Sequence, residues 1–198
     1  MADLSSRSKG DLVALLKMSG ELIKAKDEFW FLAVQEAFGK EKAVKLSDKV
    51  RERYTHLLVK RCRKQFGLSG SGIEMMRQVL EKDPCFLIND YEISHLSQDR
   101  WFLRVNRCTT LEAMKRSGGK EFVCEGPTGS CFRDIAKEIG NGIALHAIKS
   151  SPGNSRPEAC CEWLFEARPD VQIGPLQNEI ESTTSPPGRR TKRAEIRR

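Results

Sequence analysis

The chain has 198 residues, 39% hydrophobic and 31% charged, with a formal net charge of +7. These values are ordinary for a globular protein, and the length suits one domain with its own core plus an appendage. No apolar run approaches the ~20 residues needed to cross a bilayer, so a membrane span is not expected.

Met1-Ala2-Asp3-Leu4-Ser5-Ser6-Arg7 lacks a basic region followed by an apolar stretch, which predicts a cytoplasmic protein. In that reducing compartment the seven cysteines are expected to be free thiols, and an odd number argues against a closed disulfide framework. From Val171 onward six basic residues stand against three acidic ones. The stretch Ser182-Thr183-Thr184-Ser185-Pro186-Pro187-Gly188 has too little apolar area to offset chain entropy. Residues 1–171 therefore read as one α+β domain and 172–198 as a disordered basic tail. A role for nucleic acid is expected only through that tail.

Along the chain, Leu12, Leu15, Leu16, Leu22, Ile23, Phe29, Trp30, Ala33, Val34, Ala37 and Phe38 recur every three or four residues. This predicts a helix with one apolar stripe, interrupted near Gly20 and stopped by Gly39. Phe29-Trp30-Phe31 is read as core packing. A second helix is expected from Glu41 to Phe66, with Val44, Val50, Tyr54, Leu57, Leu58, Cys62 and Phe66 on one side and Gly67 closing it. Its basic residues Lys60, Arg61, Arg63 and Lys64 fall in the last turns, where cations complement the helix dipole. Ser71 and Glu74 predict a capping box for a third helix, with Ile73, Met76 and Leu80 inward and a stop before Asp83-Pro84. Gly67-Leu68-Ser69-Gly70-Ser71-Gly72 is a connector, because no Lys-Ser/Thr follows it and no strand precedes it.

The period then changes. Cys85–Ile93 and Arg100–Asn106 are rich in β-branched and aromatic residues and predict a hairpin with its loop at Ser94–Asp99. Thr109 or Thr110 caps a short helix to Lys115, and Ser117-Gly118-Gly119 makes a turn. A helix follows from Gly129 to Ile139, with Phe132, Ile135, Ala136 and Ile139 inward. Ile143–Lys149 and Cys160–Ala167 form a second hairpin around the loop Ser150–Pro157. The expected fold is α+β, with N-terminal helices packed on one face of a four-stranded antiparallel sheet.

Strand alternation puts Trp101, Leu103 and Val105, and Cys161, Trp163 and Phe165, on the core side. Arg104, Asn106, Cys108, His146 and Glu162 fall on the less apolar sides, where they could converge on a small molecule. A bulge near Asn106 would turn Cys108 to the other side. Arg107 beside Cys108 would favour its thiolate, and Cys124 precedes a Gly-Pro turn that can hold it at a pocket mouth. His146 has the pKa range of a general base, and Glu162 is a candidate catalytic carboxylate. Cys62 and Cys161, on apolar faces, read as core residues. Zinc is not favoured: Cys108, Cys124, Cys131, Cys160 and Cys161 could supply thiolates, but there is no Cys-x-x-Cys and no spaced histidine pair.

The stretch Asp27–Gly39, the strand end Arg104-Val105-Asn106-Arg107-Cys108, the segment Phe122-Val123-Cys124 and the closing Cys161-Glu162-Trp163-Leu164-Phe165 resemble an uncharacterised family of bacterial and archaeal cytosolic proteins. That domain of unknown function is similar in layout to the L-2-amino-thiazoline-4-carboxylate hydrolases, and the resemblance covers roughly residues 10 to 167. In the family the last loop carries a cysteine, an acidic residue and a histidine; the matching stretch here reads Ser151, Asn154 and Arg156.

The leading expectation is a small-molecule-binding domain with a thiol-lined pocket between sheet and helices. Arg104, Asn106 and Arg107 would hold a ligand that bears a carboxylate. The alternative implied by the resemblance is a hydrolase of cyclic amidines, with Cys108 or Cys124 as nucleophile and His146 or Glu162 moving protons.

Overall fold

A computed structural model of the chain describes residues 4–116, 125–140, 142–149 and 160–168. Cys124, the turn at Ser117-Gly118-Gly119, the loop Ser150–Pro157 and the basic tail lie outside the described residues. Helices α1 (Lys9–Phe38), α2 (Lys40–Phe66), α3 (Gly72–Leu80) and α4 (Pro84–Leu87) come first. Strands β1 (Asp90–Ser97) and β2 (Arg100–Arg107) follow, then α5 (Thr109–Arg116), α6 (Glu125–Ile139), β3 (Ile143–Lys149) and β4 (Cys161–Ala167). The strands form one antiparallel sheet in the order β1-β2-β4-β3, with the helices on one face as expected.

α1 begins at Ser8, whose Oγ accepts the Asp11 N–H at 3.1 Å, and ends at Gly39 with φ 86°. It does not break at Gly20. A Cβ at that position would lie 2.5 Å from the Pro84 carbonyl oxygen and 2.6 Å from Ile88 Cγ2. The glycine that interrupts the apolar stripe therefore lets α4 press onto the helix backbone. Gly67, in the left-handed region at φ 65° and ψ 22°, closes α2 where the spacing placed it. Ser71 is the N-cap residue of α3, but its side chain makes no capping bond. Glu74 is engaged instead by Arg77, whose Nε donates at 3.0 Å, and by Gln78 at 2.9 Å, so no capping box forms.

The segment read as a strand from Cys85 begins as a helical turn. Asp83 accepts the Cys85 N–H at 2.9 Å and Pro84 occupies the first helical position, a local start signal that outweighs the β-propensity of Phe86 and Ile88. β1 then runs on to Ser97, leaving Gln98 and Asp99 as a two-residue turn.

The core lies between the helices and the inner face of the sheet. Trp101 stacks on Phe165 at 3.7 Å between centroids, and Phe132 of α6 meets Trp163 and Phe165 edge-on at 5.1 and 5.3 Å. Such pairs add about 0.5–1.5 kcal/mol each beyond the area they bury. Trp101 Nε1 donates to the Ile73 carbonyl at 3.2 Å, pinning α3 to β2. Ile135, Ala136 and Ile139 of α6 and Ile73, Met76 and Leu80 of α3 complete this layer, all buried.

The two long helices depart from the expected burial. Leu58, Val59 and Cys62 of α2 are buried, whereas Val44, Val50, Leu57 and Phe66 are exposed. In α1 the sole buried residue is Gly20, and Phe29 and Trp30, read as core, are exposed. Their apolar character is real, but no described element covers them. Among the described residues, no helix is long and apolar enough to cross a membrane.

Candidate functional site

The pairing of β2 with β4 sets Arg104 opposite Glu162, and that of β3 with β4 sets His146 opposite Leu164. Arg104, Asn106, His146 and Glu162 thus share the outer face of the sheet, away from the helices. Each is engaged by a neighbour. Arg104 Nε donates to Glu162 Oε1 at 2.9 Å, and Asn106 Nδ2 donates to Glu92 Oε1 at 3.0 Å. His146 Nε2 lies 2.9 Å from Glu166 Oε2, and the same carboxylate pairs with Arg100 at 2.7 Å and Arg168 at 3.3 Å. Burial pushes the pKa of Glu166 up, but Arg100, His146 and Arg168 together hold it below the ordinary carboxylate range. The groups form a ladder of mutually compensated charges flanking Phe102 and Leu164, an arrangement that ties four strands together.

Arg107 and Cys108 leave this face. Asp90 pairs with Arg107 but Tyr91 pairs with Val105, so Asn106 is an extra residue in β2. That bulge turns Cys108 toward the helices, where it packs against the core. Arg107 makes a two-pronged pair with Glu112 of α5, at 2.7 and 3.0 Å. Cys108 and Glu162 are therefore on opposite sides of the sheet. Cys160 Sγ donates to the Asn106 carbonyl at 3.3 Å.

A second cluster, absent from the sequence reading, surrounds Asp83 at the junction of α2, α4 and α6. Asp83 is buried and accepts from Tyr54 OH at 2.7 Å as well as from the Cys85 N–H. Burial pushes its carboxyl above the ordinary aspartate range, against the pull of those two hydrogen bonds. Burial and the neighbouring carboxylate raise Tyr54, Cys62 and Cys85 as well. The Cys131 thiol is pushed up to about 12, first by burial and then by Asp83. At neutral pH these thiols stay protonated, which suits packing rather than nucleophilic attack. The signal is legible in the sequence: Asp-Pro marks the stop of the preceding helix and is also an N-cap followed by the preferred first helical residue.

The third feature is a hollow of about 560 Å³ on the outside of α2 and α6, lined by His56, Val59, Lys60, Arg63, Lys64 and Glu138. Arg51 Nε donates to Asp134 Oδ2 at 2.8 Å and His56 Nδ1 lies 2.8 Å from Glu138 Oε1, two bridges that fix the spacing of its walls. Arg63 Nη2 also donates to the Gly70 carbonyl at 3.3 Å, which anchors the guanidinium group. Sequence reasoning accounted for these cations through the dipole of α2 alone; the wall supplied by α6 depends on tertiary packing. Among the described residues no group of three or more His, Cys, Asp or Glu side chains is arranged to hold a metal ion.

Neither a curated protein nor a solved structure matches this chain at a significant level. A family model does, over residues 5–167, a span that takes in all the described helices and strands. On that match the chain belongs to a family of unknown function, DUF6125.

Proposed function

We propose that this protein is a small-molecule-binding domain whose ligand carries a carboxylate or comparable anionic group, held in the hollow between α2 and α6. The observation that carries this reading is the lining itself. Lys60, Arg63 and Lys64 stand against one carboxylate, Glu138, and that carboxylate is already engaged by His56. The volume falls within the roughly 300–1,000 Å³ range of small-ligand sites. Two ammonium groups and an anchored guanidinium thus line the hollow beside a single carboxylate among the described residues, which gives it a positive field.

The outer face of the sheet supports a ligand less well, because Arg104, Asn106 and His146 are each committed to a carboxylate partner. A thiol hydrolase of the cyclic-amidine type needs a nucleophile close to its proton-transfer group. Cys108 and Glu162 lie across the sheet from each other, and this favours binding over catalysis by that pair.

Calorimetric titration of the full chain at low salt, with inorganic phosphate, acetate and citrate as probes, tests the reading. Saturable binding of at least one probe at one site per chain is expected, together with its loss in the Lys60→Glu, Arg63→Glu double variant. Heats that do not saturate for any probe, or binding that survives the double substitution, would refute it.

A further inference from the structure

We propose that α1 pairs with α1 of a second copy of this chain as a parallel, in-register two-stranded coiled coil. This inference is independent of the α2–α6 hollow. The side of α1 that faces its own domain is fixed by Gly20 against Pro84 and Ile88, and by Lys24 Nζ donating to Thr109 Oγ1 at 3.0 Å. At about 3.6 residues per turn, Phe29 is half a turn round from Gly20 and points away from the domain. Around Phe29 the residues Leu15, Met18, Leu22, Ala25, Phe29 and Leu32 follow one another at alternating spacings of three and four, ending at Glu36. Those are the a and d positions of a heptad, a seam that closes by knobs-into-holes packing against a like helix.

The seam carries several of the most open apolar side chains of the helix. Met18 is 49% exposed, Leu22 61%, Phe29 70% and Leu32 53%. α1 rests on α2 and α4 along one side, so its opposite apolar side is the one without a described partner. The four side chains together present on the order of 500 Å² of mainly apolar surface, and the flanking residues bring the strip near the ~800 Å² that each partner buries in a stable interface. An apolar strip of on the order of 500 Å² matches the largest patches found on ordinary monomers, which commonly serve as contact surfaces.

Charge selects the occupant and its direction. Glu21 sits at a g position and Lys26 at the e position of the following heptad. In a parallel pair in register, Glu21 faces the partner's Lys26, and two-fold symmetry repeats the contact. An antiparallel pair would set g against g and e against e, bringing like charges together.

Sedimentation of the full chain over a range of concentrations tests the proposal. A reversible dimer is expected. Leu22→Glu with Phe29→Glu should raise the dissociation constant by on the order of 100-fold or more with an unchanged helical circular-dichroism signal. Lys26→Glu alone should weaken the dimer roughly 10-fold, and adding Glu21→Lys should restore it, a readout that does not require an apolar-to-charged change. A full chain that is monomeric at about 100 µM, whether its seam is covered by its own segments or left for another protein, would overturn the proposal. So would a dimer indifferent to the Leu22 and Phe29 substitutions, or a charge exchange that fails to restore association.

Discussion

Gly20→Ala tests the docking of α1 onto α4 directly. The substitution adds one methyl group at a position where an ideal Cβ would come within 2.5 Å of a backbone carbonyl oxygen and 2.6 Å of a side-chain methyl group. The first neighbour belongs to Pro84, whose position is fixed by the Asp83 cap, so it cannot step aside without moving α4. Overpacking of this kind costs about 1–3 kcal/mol. Replacing a mid-helix glycine by alanine returns about 0.5–1 kcal/mol through the lower entropy of the unfolded chain. The close contact wins, and a net loss of about 1–2 kcal/mol is expected. Gly10→Ala is the matched control, because its nearest foreign atom, Ser8 Oγ, would lie 3.7 Å away in ordinary contact. There the propensity term stands alone and the change should be neutral to stabilising. Urea unfolding of the three proteins at one fixed concentration, followed by circular dichroism, measures both signs. A Gly20→Ala protein as stable as the parent, or more so, would mean that α1 does not rest on α4 through this glycine.

Asp83→Asn should alter the pH dependence of stability. The folded chain holds the Asp83 proton to higher pH than the unfolded chain, whose carboxyl titrates near 3.8. Above that value the folded state binds more protons, so the contribution of Asp83 to stability falls as pH rises. The advantage of the parent over the Asn variant should therefore shrink from acid toward neutral pH, and a growing advantage in a pH series of urea midpoints would contradict the burial argument. Cys62, Cys85 and Cys131, all raised by burial, should resist iodoacetamide in the folded protein at neutral pH and react on unfolding. Rapid labelling of any one of them in peptide maps would mark a poised thiolate instead. Glu162→Gln, which breaks a partly exposed pair with Arg104, should cost less than ~1 kcal/mol and matter less at high salt. A loss of several kcal/mol in thermal unfolding would show the outer face to be a strained or buried site.

The sequence alone determined the layout of the fold, because its signals act over a few residues. Gly39 and Gly67 mark helix ends through their own backbone preferences, and alternation in β2 and β4 separates Trp101, Leu103, Trp163 and Phe165 from Arg104 and Glu162 with no knowledge of their neighbours. The same alternation put Arg104, Asn106, His146 and Glu162 on one face. What those residues do there was decided by strand order: Glu92 and Glu166, brought alongside by pairing, engage Asn106 and His146. A single extra residue in β2 sent Cys108 to the other side of the sheet. The walls of the α2–α6 hollow, the crowding at Gly20 and the hydrogen bond from Tyr54 to buried Asp83 join residues far apart in the chain. Burial likewise belongs to the assembled molecule. Periodicity shows that a helix has an apolar side, but whether that side meets a sheet or remains open, as along α1, depends on where the other elements pack.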